Sequence, residues 1–320
     1  MIEQVPSAMG DPLSTALTAM KLKAFNHVAL DAGGNWAIDF PSYADFTLNV
    51  VQKGECWLCA EGSEDPVRLK AGDCFLLTGA KKFTLATDLR LKKRYRAEIL
   101  FTEARDGFVT CNGGGDFFAA GTIFRFEGHL PSILFHRLPT VIHTDGHADQ
   151  AAVLRWSQER FAVEMQGSGV GRSLMVSHLA PIMLLQMLRI YLSSTPKAEN
   201  SLSAFSHPQL SRVLDAMQTR YREDWSLNRC AELANMSRSG FALTFRRKMG
   251  VAPMVYLLNW RMQIACELLQ TGDQPLSAIA RTVGYGSESA FSAAFCKTMK
   301  NRPGEYRRTF EIRKSKDASR

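Results

Sequence analysis

Two clusters carry side chains able to bind metals. Cys56-Trp57-Leu58-Cys59 is a C-x-x-C, and His143-Thr144-Asp145-Gly146-His147-Ala148-Asp149 packs two His and two Asp into seven residues. A metal site needs such ligands to converge on one point. The C-x-x-C lies in an apolar stretch that reads as a strand, where an offset of three puts the two sulfurs on opposite faces. No second pair stands at zinc-finger spacing, so ordinary packing is the stronger reading. In the 143–149 run, the glycine and the change of pattern after it point to a loop and a helix start. Asp145 or Asp149 then caps that helix or meets its dipole. No Gly-rich phosphate loop, nucleophile elbow or paired-carboxylate pattern occurs elsewhere, and Gly113-Gly114-Gly115 reads as a turn. No metal and no cofactor is expected.

The chemistry that remains is ionic. The 320-residue chain has 39 Lys and Arg against 31 Asp and Glu, net +8. Residues 207–320 hold 19 against 10, net +9, and residues 1–206 hold 20 against 21. A basic domain can be merely solvated. Here the excess coincides with an internal repeat, which favours a polyanion partner.

The repeat spans residues 225–308. Leu227, Cys230, Ala231, Ala234 and Met236 are followed by Ser237, Ser239, Phe241 and Phe245. Leu276, Ile279, Ala280, Val283 and Tyr285 are followed by Ser287, Ser289, Phe291 and Phe295. The offset is 49 residues before the corner (276 − 227) and 50 after it (287 − 237), with the extra residue near Gly286. Each copy has the spacing of a helix-turn-helix: apolar positions at three and four residues, then a turn at Asn235 or Gly284, then a serine suited to cap the next helix. The phenylalanine pairs anchor that second helix inward. Between the copies, residues 254–270 predict a helix with a broad apolar side, opened by Pro253 and closed at Thr271-Gly272-Asp273. Its length, about 25 Å at ~1.5 Å per residue, suits two reading helices on one side of a duplex whose groove faces recur every ~34 Å.

The run Trp260-Arg261-Met262…Ala265, then Pro275-Leu276…Ile279-Ala280…Val283-Gly284-Tyr285, then Ser287-Glu288-Ser289-Ala290-Phe291-Ser292, then Pro303-Gly304-Glu305-Tyr306-Arg307-Arg308 resembles the AraC/XylS family DNA-binding domain. The match runs from His207 onward, about a third of the chain. It implies two helix-turn-helix units acting on promoter DNA, with RNA polymerase as a further partner.

On this reading the outward faces of the second helices read bases: Arg238, Ser239, Ala242 and Leu243 in the first copy, and Glu288, Ser289, Ser292 and Ala293 in the second. Long donors to guanine are scarce there. Glu288 can accept from a cytosine amino group, and Ala or Leu can touch a thymine methyl. Phosphates fall to Arg246, Arg247, Lys248, Arg261, Lys297, Lys300 and Arg302, at or beyond helix ends. The bland alternative for Ser239, Ser292 and Ala293 is helix surface facing solvent.

The first half reads differently. From Phe25 to about Phe126, short alternating runs are broken by close turns, the pattern of an all-β barrel or jelly roll. Trp36-Ala37-Ile38-Asp39-Phe40-Pro41, Gly54-Glu55-Cys56-Trp57-Leu58 and Leu69-Lys70-Ala71-Gly72-Asp73-Cys74-Phe75-Leu76-Leu77 are similar to the cupin-type sensor domains fused to some AraC/XylS regulators. Thr47 and Phe83 stand where metal-binding cupins often carry histidines. That departure weighs against the rival reading, a metal-dependent cupin enzyme with an appended DNA-binding domain. A small-molecule effector is expected inside the barrel, with Trp36, Thr47, Asn49, Trp57 and Phe83 as candidate lining. Strand alternation puts Phe46 and Leu48 on one face and Thr47 and Asn49 on the other, so only one set can line a pocket.

Residues 148–166 and 172–193 have helical periods, separated by Gly167-Ser168-Gly169-Val170-Gly171. They predict an antiparallel hairpin. The second helix is apolar nearly all round, so it must be covered on several sides: core packing against the barrel is one reading, and a dimer seam along part of it is the favoured one. Seven scattered cysteines suit a reducing compartment. No apolar run reaches the ~20 residues of a bilayer span, and the start of the chain lacks a signal-peptide core. The expectation is a cytoplasmic homodimer of two-domain α+β class, not an enzyme and not a membrane protein. It comprises a cupin-like β-barrel with a helical hairpin (1–195), a linker (196–206) and an all-α domain of two helix-turn-helix units joined by a helix (207–310).

Overall fold

A computed structural model of the chain describes residues 11–42, 46–79, 81–104, 107–145, 152–195 and 200–317. Asp11 caps α1 (Pro12–Ala19), its Oδ1 accepting from the amides of Leu13 and Ser14 at 3.0 and 2.9 Å. Strands then follow at short intervals: β1 (Lys23–Ala32), β2 (Ala37–Phe40), β3 (Phe46–Lys53), β4 (Glu55–Ala60), β5 (Val67–Lys70), β6 (Cys74–Thr78), β7 (Phe83–Ala86) and β8 (Tyr95–Arg96). After the one-turn α2 (Ala97–Leu100) come β9 (Phe108–Cys111), β10 (Phe117–Arg125), the short α3 (Leu130–Leu134) and β11 (Val141–Thr144).

The strands make two sheets rather than a closed barrel. Their orders are β11-β6-β3-β10-β1-β9 and β5-β4-β7-β2-β8. The core lies between them: Leu30, Val51, Phe75, Leu77, Phe117 and Ala119 from the first meet Ile38, Cys56, Leu58, Leu69, Phe83 and Leu85 from the second. Alternation along β3 sends Thr47, Asn49 and Val51 inward, and Phe46, Leu48 and Val50 to the other side, also buried. There α4 (Ala152–Gln166) crosses β1, β3 and β10. The expected hairpin is present: α5 (Arg172–Ser194) packs along α4 and against β1 and β11. Although the sequence offers no uninterrupted apolar run, α5 with its 23 residues is long and apolar enough by composition to cross a membrane. In the structure Val176, Leu179, Ala180, Met183, Leu184, Met187 and Leu188 are buried, so this side of α5 is spent on packing within the protein.

The remaining elements are a 3-10 turn (Ser201–Ala204), α6 (Pro208–Thr219), α7 (Leu227–Leu233), α8 (Arg238–Met249), α9 (Pro253–Thr271), α10 (Leu276–Thr282), α11 (Glu288–Met299) and α12 (Pro303–Asp317). The 3-10 turn falls within the stretch whose composition reads as linker. Its Ser201 is nevertheless fully buried, with Oγ in reach of the carbonyls of Ile133 (2.9 Å) and Met249 (3.1 Å).

Packing divides the chain into two units that are not contiguous in sequence. One holds Leu22–Phe126 and Leu138–Ala198, the sheets with their hairpin. The other holds Glu199–Arg320 together with Met1–Lys21 and Glu127–Arg137. In this second unit α9 is the hub, touching α3, α6, α7, α8, α10, α11 and α12. Ten of its 19 residues are buried, Trp260, Met262 and Ala265 among them.

Candidate nucleic-acid interface

The two copies of the repeat form the same corner by the same hydrogen bonds. After α7, Asn235 takes a left-handed conformation (φ 51°), and Met236 N donates to Ala231 O while Asn235 N donates to Glu232 O, at 2.9 and 3.0 Å. After α10, Gly284 does so (φ 80°), and Tyr285 N donates to Ala280 O and Gly284 N to Arg281 O, at 2.9 and 3.1 Å. This pairing of bonds is the Schellman ending, which satisfies carbonyls the helix leaves open. Ser237 Oγ then accepts from Gly240 N and Ser287 Oγ from Ala290 N, each at 3.2 Å, so both second helices start on a serine cap. Phe241, Phe245, Phe291 and Phe295 are all fully buried.

With that side anchored, α8 and α11 present their opposite faces. Arg238, Ser239 and Leu243 are exposed, Leu243 to 72%, and Ala242 is half-buried. Glu288, Ser289 and Ala293 are exposed and Ser292 is half-buried. An isolated exposed leucine is unremarkable on a soluble protein, but this one lies on the face left over by the phenylalanine anchors. Ser289 Oγ lies 3.1 Å from Ser287 Oγ, beside the cap.

The cations separate into two groups. Arg246, Arg247, Lys297 and Arg302 are exposed, and Lys300 closes α11 in a left-handed conformation. Arg246, Arg247 and Lys248 occupy the last turn of α8, where positive charge also meets the negative helix end. Lys248 is half-buried, its Nζ 3.4 Å from Ser203 Oγ. Arg261, expected at phosphate, is also engaged within the protein. It is half-buried, and Nε and Nη2 donate to the carbonyls of Tyr221 and Glu223 at 2.8 and 2.9 Å, with the guanidinium over the Tyr285 ring. Burial lowers its pKa from the ordinary arginine value. A side chain so committed to main-chain carbonyls braces α9 against the 221–223 segment and the second corner at Tyr285.

A shallow hollow of about 390 Å³ gathers Ser292, Ala293 and Cys296 of α11 with Arg302 and Arg308. Arg308, outside the sequence-derived set of cations, joins them from the second turn of α12.

In the sheet unit, a chamber of about 90 Å³ is lined by Thr47, Asn49 and Phe83 from the sequence-derived set, and by Asn26, Val28, Phe40, Phe101, Thr122 and Ile123, which that set lacked. Trp36 and Trp57 are elsewhere: Trp36 is buried in the core against Phe117 (ring centroids 4.9 Å apart), and Trp57 pairs with Arg68 and Ala86 along β4. On β4, Cys56 is buried and Cys59 exposed, on opposite faces as a strand requires. Burial, with Asp73 and Glu55 nearby, raises the Cys56 pKa. His143 Nε2 lies 3.0 Å from Oδ2 of the buried Asp73, while His147 and Asp149 fall outside the described residues. Among the described residues no group of three or more His, Cys, Asp or Glu is placed to hold a metal.

A two-sheet sensor-type domain and a duplicated helix-turn-helix on one connecting helix define a DNA-binding transcription regulator. Comparison with known proteins agrees. Residues 11–193 match a Cupin family and residues 230–309 a helix-turn-helix domain family. A Streptomyces antibioticus protein described as an AraC-like transcription regulator is 34% identical over 93% of this chain and 98% of its own length. The HTH-type transcriptional regulator AlkR of Acinetobacter baylyi is 28% identical over 72% of this chain and 86% of its own. Among solved structures, the DNA-binding domain of AdpA in complex with a target DNA is 29% identical, covering 33% of this chain and 95% of that one, with a TM-score of 0.32. The chain belongs to the AraC-like transcription regulators.

Proposed function

We propose that α8 and α11 enter successive major grooves of a promoter, held at that separation by α9, and that a small molecule between the sheets modulates this binding. The observation that carries the reading is the identity of the two corners, which present two equivalent helix faces. The 19 residues of α9 span roughly 28 Å, near the ~34 Å repeat of groove faces. Arg238, Ser239, Ala242, Leu243, Glu288, Ser289, Ser292 and Ala293 meet bases. Arg246, Arg247, Lys248, Lys297, Lys300 and Arg302 meet phosphates, joined by Arg308. The effector site is the chamber at Thr47, Asn49 and Phe83.

The protein acts in the cytoplasm as a homodimer and engages RNA polymerase at the promoter. The dimer reading rests on apolar rows left uncovered on the hairpin: Val153, Trp156 and Val163 on α4, and Met175 and Ile182 on α5. Footprinting of the full chain on genomic fragments it selects tests the central claim. Two protected patches one helical turn apart on one side of the duplex are expected for each protomer. A single patch would show that only one of the two helices reads DNA.

A further inference from the structure

We infer that the chamber between the sheets takes a small, uncharged ligand bearing one hydrogen-bond acceptor, which Asn49 recognises. This rests on the effector reading above and names the chemistry of its ligand.

None of the nine lining residues carries an ionisable side chain. A charged ligand would leave water with nothing to replace its hydration, and burial of an unpaired charge is strongly unfavourable. The wall is mostly apolar, including Phe40 and Phe83, stacked with centroids 4.4 Å apart and planes 2° from parallel. One polar atom stands out: Asn49 Nδ2 is buried with no hydrogen-bond partner. Among the described residues no protein atom accepts from it, so a ligand acceptor there makes a hydrogen bond that a hydrocarbon cannot.

The amide's placement has its own cause. Gly121 stands directly opposite Asn49 across the β3–β10 pair. A Cβ on residue 121 would lie 2.1 Å from Asn49 Oδ1, so the carboxamide occupies space that only glycine leaves open. Size sets the last limit. An apolar cavity of about 150 Å³ holds benzene, so about 90 Å³ limits the ligand to one smaller than a six-membered ring. Asn26, Val28 and Phe101 also line a larger open hollow.

The test uses the full chain and a set of near-isosteric probes followed by ligand-observed NMR: cyclopentanone, cyclopentane, cyclopentylammonium and cyclobutanecarboxylate. Cyclopentanone should bind roughly tenfold more tightly than cyclopentane, the worth of one hydrogen bond to a buried donor. Both charged probes should bind at least about a hundredfold more weakly than the ketone. Asn49→Leu keeps the side-chain shape and should bring the ratio of ketone to hydrocarbon affinity near one. A charged probe binding as well as the ketone, a preference that survives Asn49→Leu, or no ketone binding at tens of millimolar would each overturn the inference. The probe series needs no variant, so it decides the matter even if Asn49→Leu folds poorly. DNA affinity measured with and without cyclopentanone separates the two readings: ketone binding that leaves DNA affinity unchanged upholds the ligand class and refutes the sensory role.

Discussion

Gln263 and Gly128 share one space. The Gln263 side chain is 4% exposed, and its Nε2 donates to the carbonyls of Ala19 and Glu127 at 2.9 and 3.0 Å. A Cβ on residue 128 would lie 1.7 Å from Gln263 Oε1. One amide in the middle of α9 therefore ties down two segments distant in sequence. Glu127 N also donates to Met20 O at 2.8 Å, and Lys21 Nζ reaches Gln270 Oε1 at 3.0 Å. The helix that links the two repeat copies thus also carries attachments at Gln263 and Gln270.

Loss of this clasp should be measurable. Gly128→Ala meets both the collision and a φ of +90°, and should cost about 2 kcal/mol or more. Gln263→Leu leaves two part-buried carbonyls without that donor and should cost about 1 kcal/mol or more. Urea denaturation of the full chain reads both. Variants as stable as the parent would mean that water takes over the Gln263 role.

The reading face of α8 gives a prediction on affinity. Ala242 is half-buried on the flank of α8, between the buried Phe241 and the exposed Leu243. Ala242→Glu sets a carboxylate among phosphates, where like-charge apposition costs several kcal/mol. Specific DNA affinity should fall by roughly a hundredfold or more, with the far-ultraviolet circular dichroism unchanged. An unaltered mobility shift would show that this face looks elsewhere.

Salt dependence tests the cations separately. Log affinity should fall against log salt with a slope of about −0.9 per phosphate neutralised. Arg246→Ala and Lys297→Ala should each flatten that slope by about one while weakening all sequences alike. Arg261→Ala should instead lower stability and leave the slope close to that of the parent, because its donors are held by Tyr221 and Glu223. The full chain is the right material, since a fragment starting at residue 207 lacks Pro12–Ala19, Leu130–Leu134 and the buried Ser201, which all belong to the DNA-binding unit.

Much of this was legible in the sequence because the repeat constrains itself. Two copies of one pattern located the corners, the serine caps and the phenylalanine anchors, each of which depends only on near neighbours. Strand alternation likewise assigned Thr47 and Asn49 to the face opposite Phe46 and Leu48. What stayed hidden depends on pairs far apart in the chain. Nothing periodic marks Gln263 as the partner of Ala19 and Glu127, and polar composition made residues 196–206 read as linker although Ser201 is buried under two carbonyls. The carbonyl contacts of Arg261 were hidden for a related reason: a cation has the same residue type whether it meets phosphate or a backbone carbonyl. The pattern of short strands with close turns reads as barrel or jelly roll alike, since it does not say whether the two sheets bond to each other at their edges; the structure has them as two sheets.

The hairpin should hold the dimer together. Trp156 on α4 is 58% exposed and Ile182 on α5 is 41% exposed, and a large aromatic at the centre of an interface commonly contributes ~2 kcal/mol or more. Trp156→Asp with Ile182→Asp should raise the dimer dissociation constant by at least about thirtyfold, read by analytical ultracentrifugation. A parent chain that sediments as a monomer at high micromolar concentration would sink the idea before any variant is made.

The two corners are occupied by different residues, and their surroundings say why. Asn235 and Gly284 hold equivalent left-handed positions, with φ of 51° and 80°. Asparagine tolerates that conformation better than other non-glycine residues, and Asn235 is exposed. At residue 284 a Cβ would lie 2.8 Å from the Arg222 carbonyl oxygen and 2.9 Å from Arg261 Nη2. The carbonyl is backbone and cannot swing aside as a side-chain end can. Asn235→Gly should therefore change stability by no more than about 1 kcal/mol, the balance between relieved strain and added chain entropy. Gly284→Asn should cost about 2–4 kcal/mol. Because Asn235 already shows the backbone angle to be acceptable for asparagine, that loss reports the crowding at Arg222 and Arg261 rather than the angle. Paired urea curves for the two variants decide it: equal, small effects would mean that the 220–223 segment moves to admit a side chain.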